Sequence, residues 1–177
     1  GEDTLSLHDA LPISIISGIE QFTLPYLDLI SAGNLTLPDL QMDLTIENGF
    51  KMALRAQIEQ LSATNSQGQT IALSAPSIGP SMFISPAVGS WNTLQPSSLN
   101  LHFDQNNSNI KNYLEHLGAQ QQISYQIQPN PWGNTSAGHD EAFAHSRLKV
   151  KVAAQMPLSL SADGLTLQDT FAIDLRH

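Results

Sequence analysis

Residues 40–47 read Leu-Gln-Met-Asp-Leu-Thr-Ile-Glu, so apolar side chains occupy every even position and polar ones every odd position. A helix would scatter the four apolar side chains around its axis, whereas a strand places them all on one face. Asn48-Gly49 follows directly and is the strongest two-residue signal for a β-hairpin. Because alternation resumes in 52–58, the sequence predicts a hairpin that joins two half-buried strands at Asn48-Gly49.

The same period of two recurs along most of the chain. Further alternating segments are 71–75, 99–103, 123–127, 148–154 and 171–175. A phase slip at Gln60-Leu61 predicts a β-bulge. One short helix is predicted near 108–117, because apolar residues recur there at i, i+3, i+4 and i+7 and Gly118 follows. The predicted fold is therefore all-β, an antiparallel β-sandwich of about seven to nine strands with one short helix on an edge or end.

The ends of the chain depart from this pattern. Residues 1–34 have mixed phases interrupted by prolines, so we assign them to an N-terminal segment and residues 35–177 to the sandwich domain. Residues 1–14 resemble translated library-adapter sequence, and they are either non-native or a genuine short strand. The chain stops inside the alternating segment that begins at Phe171, which predicts a truncated C-terminus or a further module downstream.

Composition excludes several classes of function. The chain has 7 Lys and Arg against 16 Asp and Glu, a formal charge of -9, and no Cys. Nucleic acids and anionic membranes both require clustered basic residues, so neither is an expected partner. Disulfides, zinc–thiolate sites and a cysteine nucleophile are excluded, and no apolar run approaches the roughly 20 residues of a transmembrane helix. Polar positions carry mainly Ser, Thr, Gln and Asn, which is common in exported β-proteins, so we expect an extracellular, cell-surface or periplasmic location, although no signal peptide begins the chain.

Two stretches, 40–75 and 123–160, share an outline in which a strand leads through an Asn-containing loop into a long strand. With the Gly-bearing turn at Gln67-Gly68, this outline resembles the LEA14-like sandwich pattern. Residues 35–175 also resemble modules of Bacteroidota-type surface lipoproteins of unassigned function, with the loop Asn-Pro-Trp-Gly-Asn at 130–134 among the matching features. These resemblances imply a structural or binding unit, and they supply no catalytic residues.

Two tryptophans are candidate ligand-binding residues. Trp91 and Trp132 both lie in loops rich in Pro, Gly and Asn, where an exposed indole can stack on a sugar ring. Asn130 and Asn134 flank Trp132, and their amides can pair with sugar hydroxyls. The alternative is that each indole folds back to close an end of the sandwich.

The segment 139–145 contains the densest group of possible metal ligands. His139, Asp140, Glu141 and His145 are residue types that together bind Zn, Ni or Mn. Their spacing suits neither a helix nor a strand, so only a curled loop brings them together. The alternative is a solvated loop.

A second pair, His102 and Asp104, is spaced i, i+2 and shares one strand face, as half of a metal site or as a His–Asp pair would require. A solvated sheet face is the alternative. The sequence contains no P-loop, no G-x-G-x-x-G, no EF-hand loop and no G-x-S-x-G, so we expect no cofactor and no catalytic residues.

The sequence favours a non-enzymatic structural or binding module of an exported or cell-surface protein, with a glycan or another surface protein as partner. One alternative is a carrier of lipids or other apolar ligands, if the two sheets enclose a cavity. Another is a metal-dependent hydrolase that uses the 139–145 loop. No oligomeric state follows from the sequence.

Overall fold

The structure, a computed structural model, describes residues 5–6, 14–24, 39–133, 140–156 and 165–173. These residues form eleven strands and one helix. In chain order the elements are β1 (Leu5–Ser6), β2 (Ile16–Thr23), β3 (Gln41–Asn48), β4 (Leu54–Thr64), β5 (Thr70–Ala72), β6 (Ser81–Ile84), β7 (Ser97–Phe103), α1 (Ile110–Glu115), β8 (Gln120–Pro129), β9 (Glu141–Ala142), β10 (Leu148–Met156) and β11 (Leu165–Ile173).

Two antiparallel sheets pack against each other, which confirms the predicted all-β sandwich. The first sheet has the strand order β11-β10-β3-β7. The second has the order β2-β8-β4-β5, with β6 also paired to β4. Together the sheets contain nine strands, within the predicted seven to nine, and β1 and β9 form a separate two-residue pair.

The core lies between the two inner faces, and the period of two explains which side chains fill it. On β3 the alternation is complete, because the even positions are buried and the odd ones are only half-buried. The first sheet contributes Met42, Leu44, Ile46, Phe103, Val150 and Val152, and the second contributes Leu54, Ala56, Ile58, Leu61, Ile123 and Ile127. The predicted bulge is confirmed, since the pairing of β4 with β8 shifts by one residue between Ile58 and Gln60. This shift lets both halves of β4 keep their apolar side chains inward.

The predicted hairpin at Asn48-Gly49 is wrong, because β3 belongs to the first sheet and β4 to the second. A type I′ turn needs a positive φ at both central residues, and neither residue has one. Asn48 is instead fully buried. Its Nδ2 donates to the carbonyl oxygens of Met52 and Ser85, 2.9 Å from each, and its Oδ1 accepts the Phe50 N–H at 2.9 Å. The chain thus crosses from one sheet to the other around the Asn48 amide.

The second sheet begins before residue 35, where the sequence placed the start of the sandwich. Strand β2 pairs with β8 in an unbroken antiparallel register from Ile16 opposite Ile127 to Thr23 opposite Gln120. Residues 16–23 are therefore part of the sandwich.

Helix α1 is shorter than the predicted 108–117 and covers an end of the sandwich. Its N-cap residue is Asn109, which uses its side chain to bind the backbone of Ala72 and Ser74 and leaves the helix without a side-chain cap. Beyond the helix, Leu117 takes the left-handed conformation expected of a glycine, with φ 55°. Within the described part of the chain, no helix has the length and apolar character needed to cross a membrane.

Tyr113 anchors this helix through a buried polar contact. Its ring is 1% exposed and its hydroxyl donates to Oε1 of Gln121, which is itself 2% exposed. The Gln121 amide donates in turn to the Gly118 carbonyl oxygen. Burial raises the pKa of Tyr113 well above its ordinary value. The phenol therefore stays neutral in the folded protein, as its hydrogen bond requires.

Replacing Tyr113 by Phe is expected to lower the free energy of unfolding by about 1–3 kcal/mol, because Oε1 of Gln121 is left buried and unpaired. Since folding raises the phenol pKa, its stabilising effect is complete below about pH 10 and is lost above it, by up to about 1.4 kcal/mol per pH unit. Urea unfolding of both proteins between about pH 7 and pH 11 measures this. The difference in unfolding free energy between the wild type and Tyr113→Phe should shrink above about pH 10. A difference that stayed constant with pH would contradict the buried hydrogen bond assigned to the Tyr113 hydroxyl.

Candidate functional site

Two cross-strand rows of side chains project outward from the second sheet. In the first row, Phe83 of β6 lies opposite Arg55 of β4, which lies opposite Gln128 of β8. The second row consists of Ser81, Gln57 and Gln126. A groove of about 190 Å³ lies between the rows, and we call it the amide groove. Its lining residues are Ile15, Arg55, Gln57, Ser81, Gln126 and Gln128.

Trp132 and Phe83 stand beside this groove, and we call them the aromatic pair. Their ring centres lie 5.1 Å apart with an angle of 66° between the planes, an edge-to-face contact. Trp132 is 53% exposed and Phe83 is 51% exposed. The Arg55 guanidinium carbon lies 5.6 Å from the Trp132 ring centre, within the range of a cation–π contact. The aromatic pair and Arg55 therefore form one continuous surface with the amide groove.

A tight turn fixes the position of Trp132. The Gly133 N–H donates to the Asn130 carbonyl oxygen at 3.0 Å, and Pro131 and Trp132 occupy the two central positions. The side-chain amide of Asn130 donates to Oδ2 of Asp140 at 2.7 Å. The backbone N–H of Asn130 donates to the carbonyl oxygen of Ala53, the residue before β4, at 2.8 Å. Asn130, a predicted ligand-binding residue, thus positions the turn that carries Trp132. Asn134, predicted with it, lies outside the described residues.

Trp91 lies elsewhere, in the connection between β6 and β7. It is 46% exposed and makes edge contacts with His145 at 4.6 Å and with the buried Phe143 at 5.7 Å between ring centres. The structure therefore brings a predicted sugar-binding residue against a predicted metal ligand. The sequence does not signal this contact, because the two residues are far apart along the chain and each belongs to an irregular segment.

The described members of the predicted metal set have separate partners. Asp140 is 9% exposed and accepts a hydrogen bond from Asn130, Glu141 pairs with Lys51, and His145 packs on Trp91. His139 lies outside the described residues. Among the residues that the structure describes, no three or more His, Asp or Glu side chains form a group that could hold a metal ion. A metal site that includes His139 stays a prediction.

His102 lies between two carboxylates on the outer face of the first sheet. Its Nε2 is 3.9 Å from Oδ2 of Asp104, in accord with their i, i+2 spacing, and its Nδ1 is 2.7 Å from Oδ1 of Asp43, which β3 places directly opposite. The backbone N–H of Asn106 donates to Asp104 and, with further bonds from the same loop, lowers the pKa of that carboxyl. The cluster is half-exposed, which is typical of a surface ion pair.

The sequence analysis did not identify Phe83, Arg55 and the Gln side chains of the two rows as parts of one site. Each looks like an ordinary outward residue of its own strand, and only the order β6-β4-β8 places them side by side. The available signal was the set of Gln residues on the polar positions of the segments that became β4 and β8.

Comparisons of this chain with protein-family models, with curated proteins and with solved structures find no match. The resemblances to LEA14-like and lipoprotein modules stay predictions. Function is therefore inferred from the geometry of the described side chains.

Proposed function

We propose that this chain is a non-enzymatic glycan-binding module of an exported or cell-surface protein, with the sugar lying in the amide groove against the aromatic pair. The observation that carries the proposal is that two half-exposed aromatic rings stand beside a groove lined by glutamine side chains. Large aromatic side chains exposed together on a soluble surface are unusual and mark contact sites.

The chemistry of the surface suits a sugar. A pyranose has apolar C–H faces that pack on an aromatic ring and hydroxyl groups around its edge. Gln57, Gln126 and Gln128 each carry an amide that combines N–H donors with an acceptor oxygen, so one side chain can serve a hydroxyl in either role. Nε2 of Gln126 already donates to Oε1 of Glu59 at 2.7 Å, so this side chain offers its second N–H and its oxygen. The aromatic pair therefore supplies the stacking surface, and the amide groove supplies the directional bonds.

The site is also held in place before a ligand arrives. Arg55, Gln57 and Gln126 project from strands paired on both sides, and the Asn130–Asp140 hydrogen bond closes the loop that carries Trp132. Little backbone freedom is left to lose on binding, which favours affinity.

A glycan is favoured over a protein partner because the groove is small and five of its six lining side chains are polar, three of them amides. A stable protein interface buries about 800 Å² on each partner around a more apolar centre. The other two alternatives from the sequence, an apolar-ligand carrier and a metal-dependent hydrolase, stay predictions.

Replacing Trp132 by Ala is expected to weaken glycan binding roughly thirtyfold, about 2 kcal/mol, because it removes the larger ring of the aromatic pair. A glycan array with the full chain identifies ligands, and isothermal titration calorimetry of the best ligand measures the change. Since Trp132 is exposed and the core is untouched, the thermal midpoint should stay close to that of the wild type.

Trp91 provides the matched control, because it is the other tryptophan and is exposed to a similar extent. Trp91→Ala should leave the affinity unchanged. In Trp91→Phe, Trp132 is the single remaining tryptophan, so its fluorescence should change on titration with the ligand. A loss of binding in Trp91→Ala with retention in Trp132→Ala would place the site elsewhere. An array without any bound glycan would overturn the proposed function.

A further inference from the structure

Arg55 is the one cationic side chain among the residues that line the amide groove. It projects from the middle of the second sheet, flanked in register by Phe83 on one side and Gln128 on the other. The residue is half-buried, and its guanidinium lies against the Trp132 ring, with the carbon 5.6 Å from the ring centre. Its head is therefore directed toward the same surface that the aromatic pair presents.

Most other cations of the described residues already have a carboxylate partner. Lys51, Lys111 and Lys151 pair with Glu141, Glu115 and Glu47 respectively, and none of the ion pairs found within the described ranges involves Arg55. A guanidinium is planar and presents its N–H donors as a fork that matches a carboxylate with two parallel bonds. A carboxylate on the ligand would accept two parallel hydrogen bonds from the Arg55 guanidinium.

The acidic character of the protein does not prevent an acidic ligand from binding here. The formal charge is -9, but acids such as Asp43 and Glu47 stand on the outer face of the first sheet, on the far side of the sandwich. Facing sheets lie about 10 Å apart, and the Debye length at physiological ionic strength is about 8 Å, so these charges are largely screened at the groove. On β4 itself, Glu59 is four residues from Arg55, about 13 Å along the strand. Its Oε1 accepts a hydrogen bond from Nε2 of Gln126 at 2.7 Å, so this carboxylate has a partner at the far end of the groove from Arg55.

We infer that the amide groove takes a carboxylate-bearing glycan, a chain that contains uronic acid residues, with the carboxylate on Arg55. The ring of the same sugar packs on the aromatic pair, and the hydroxyls bond to Gln57, Gln126 and Gln128. This inference rests on the proposed function, because it names the class of sugar that the same site takes. It assigns to Arg55 the selection of acidic over neutral chains.

Matched acidic and neutral ligands test the inference. The full chain is titrated by calorimetry with oligomers of galacturonate, mannuronate and glucuronate and with their fully methyl-esterified forms, which keep the backbone and lose the charge. The wild type is expected to bind at least one acidic oligomer tenfold or more tightly than its ester. Arg55→Gln should lower the affinity for the acid at least tenfold more than the affinity for the ester, so that the preference for the acid is lost.

Lys149→Gln is the control variant, because it removes the same charge from an exposed position on β10 of the other sheet. It should bind as the wild type does. Equal affinity for acid and ester, or an Arg55→Gln variant with wild-type affinity for the acid, would overturn the inference. So would a sulfated chain that binds more tightly than every uronate, because Arg55 would then select a sulfate and not a carboxylate. If neutral glycans bind through Trp132 and the protein shows no preference for acidic glycans, the proposed function stands and only this inference fails.

Discussion

Replacing Asn48 by Ala is expected to lower the free energy of unfolding by about 3–5 kcal/mol. The side chain is fully buried and serves three backbone groups at once, the carbonyls of Met52 and Ser85 and the N–H of Phe50. Alanine leaves the Met52 carbonyl oxygen and the Phe50 N–H, both of buried residues, without the Asn48 amide, which costs much more than the loss of bonds at the surface. The Ser85 carbonyl oxygen still accepts a hydrogen bond from the Ser97 hydroxyl. Urea denaturation with a comparison of midpoints and slopes measures the change.

The control for this variant is Asn65→Ala. Asn65 is also an asparagine in a connection between strands, and its Oδ1 accepts hydrogen bonds from the N–H groups of Gln67 and Gln69 at 3.0 Å. Its side chain is only half-buried, and both donor N–H groups belong to exposed residues. Water can replace those bonds, so we expect a loss of only about 1 kcal/mol. If both variants lost the same free energy, the Asn48 amide would not be what stabilises the crossing between the sheets.

The second large effect is expected at Gly118, where alanine should destabilise the protein by about 2–3 kcal/mol. A Cβ at this position would lie 2.6 Å from Cβ of Ala63 and 2.9 Å from the backbone nitrogen of Thr64. Both neighbours belong to β4, which is paired on both sides and cannot move aside cheaply. The φ of Gly118 is not in the left-handed region, so the cost is steric contact and not backbone strain.

A double-mutant cycle separates this contact from other effects. Ala63→Gly removes one of the two colliding methyl groups, so the combined variant should be more stable than the sum of the single changes by about 1 kcal/mol or more. The steric contact is only partly relieved, because the β4 backbone remains close to the Cβ added at position 118. Strict additivity of the two changes in unfolding free energy would contradict the proposed contact.

The candidate site was predictable only in part. Trp132 was identifiable because an indole in a Pro-Gly-Asn loop has no regular element to bury it. Its neighbours were not identifiable, because Phe83 and Arg55 come from strands far from it in the chain. Asn130 was predicted to contact a ligand, and in the structure it binds Asp140, a residue that the sequence had suggested as a metal ligand.

The sequence by itself determined where most of the strands after residue 39 lie and which face of each is buried, since side chains alternate along a strand and burial follows that alternation. It did not locate β2, because the alternation in residues 16–23 is interrupted by Gly18 and is only partly buried. It also determined the bulge near Gln60, where the alternation shifts by one residue. Tertiary structure decided which strands become neighbours. Asn48-Gly49 has the local signature of a hairpin, yet burying the faces of β3 and β4 against each other requires the two strands to lie in opposite sheets. Pairing across a sheet depends on contacts between distant residues, so the surface shared by Arg55 and Trp132 exists only once the sandwich has formed.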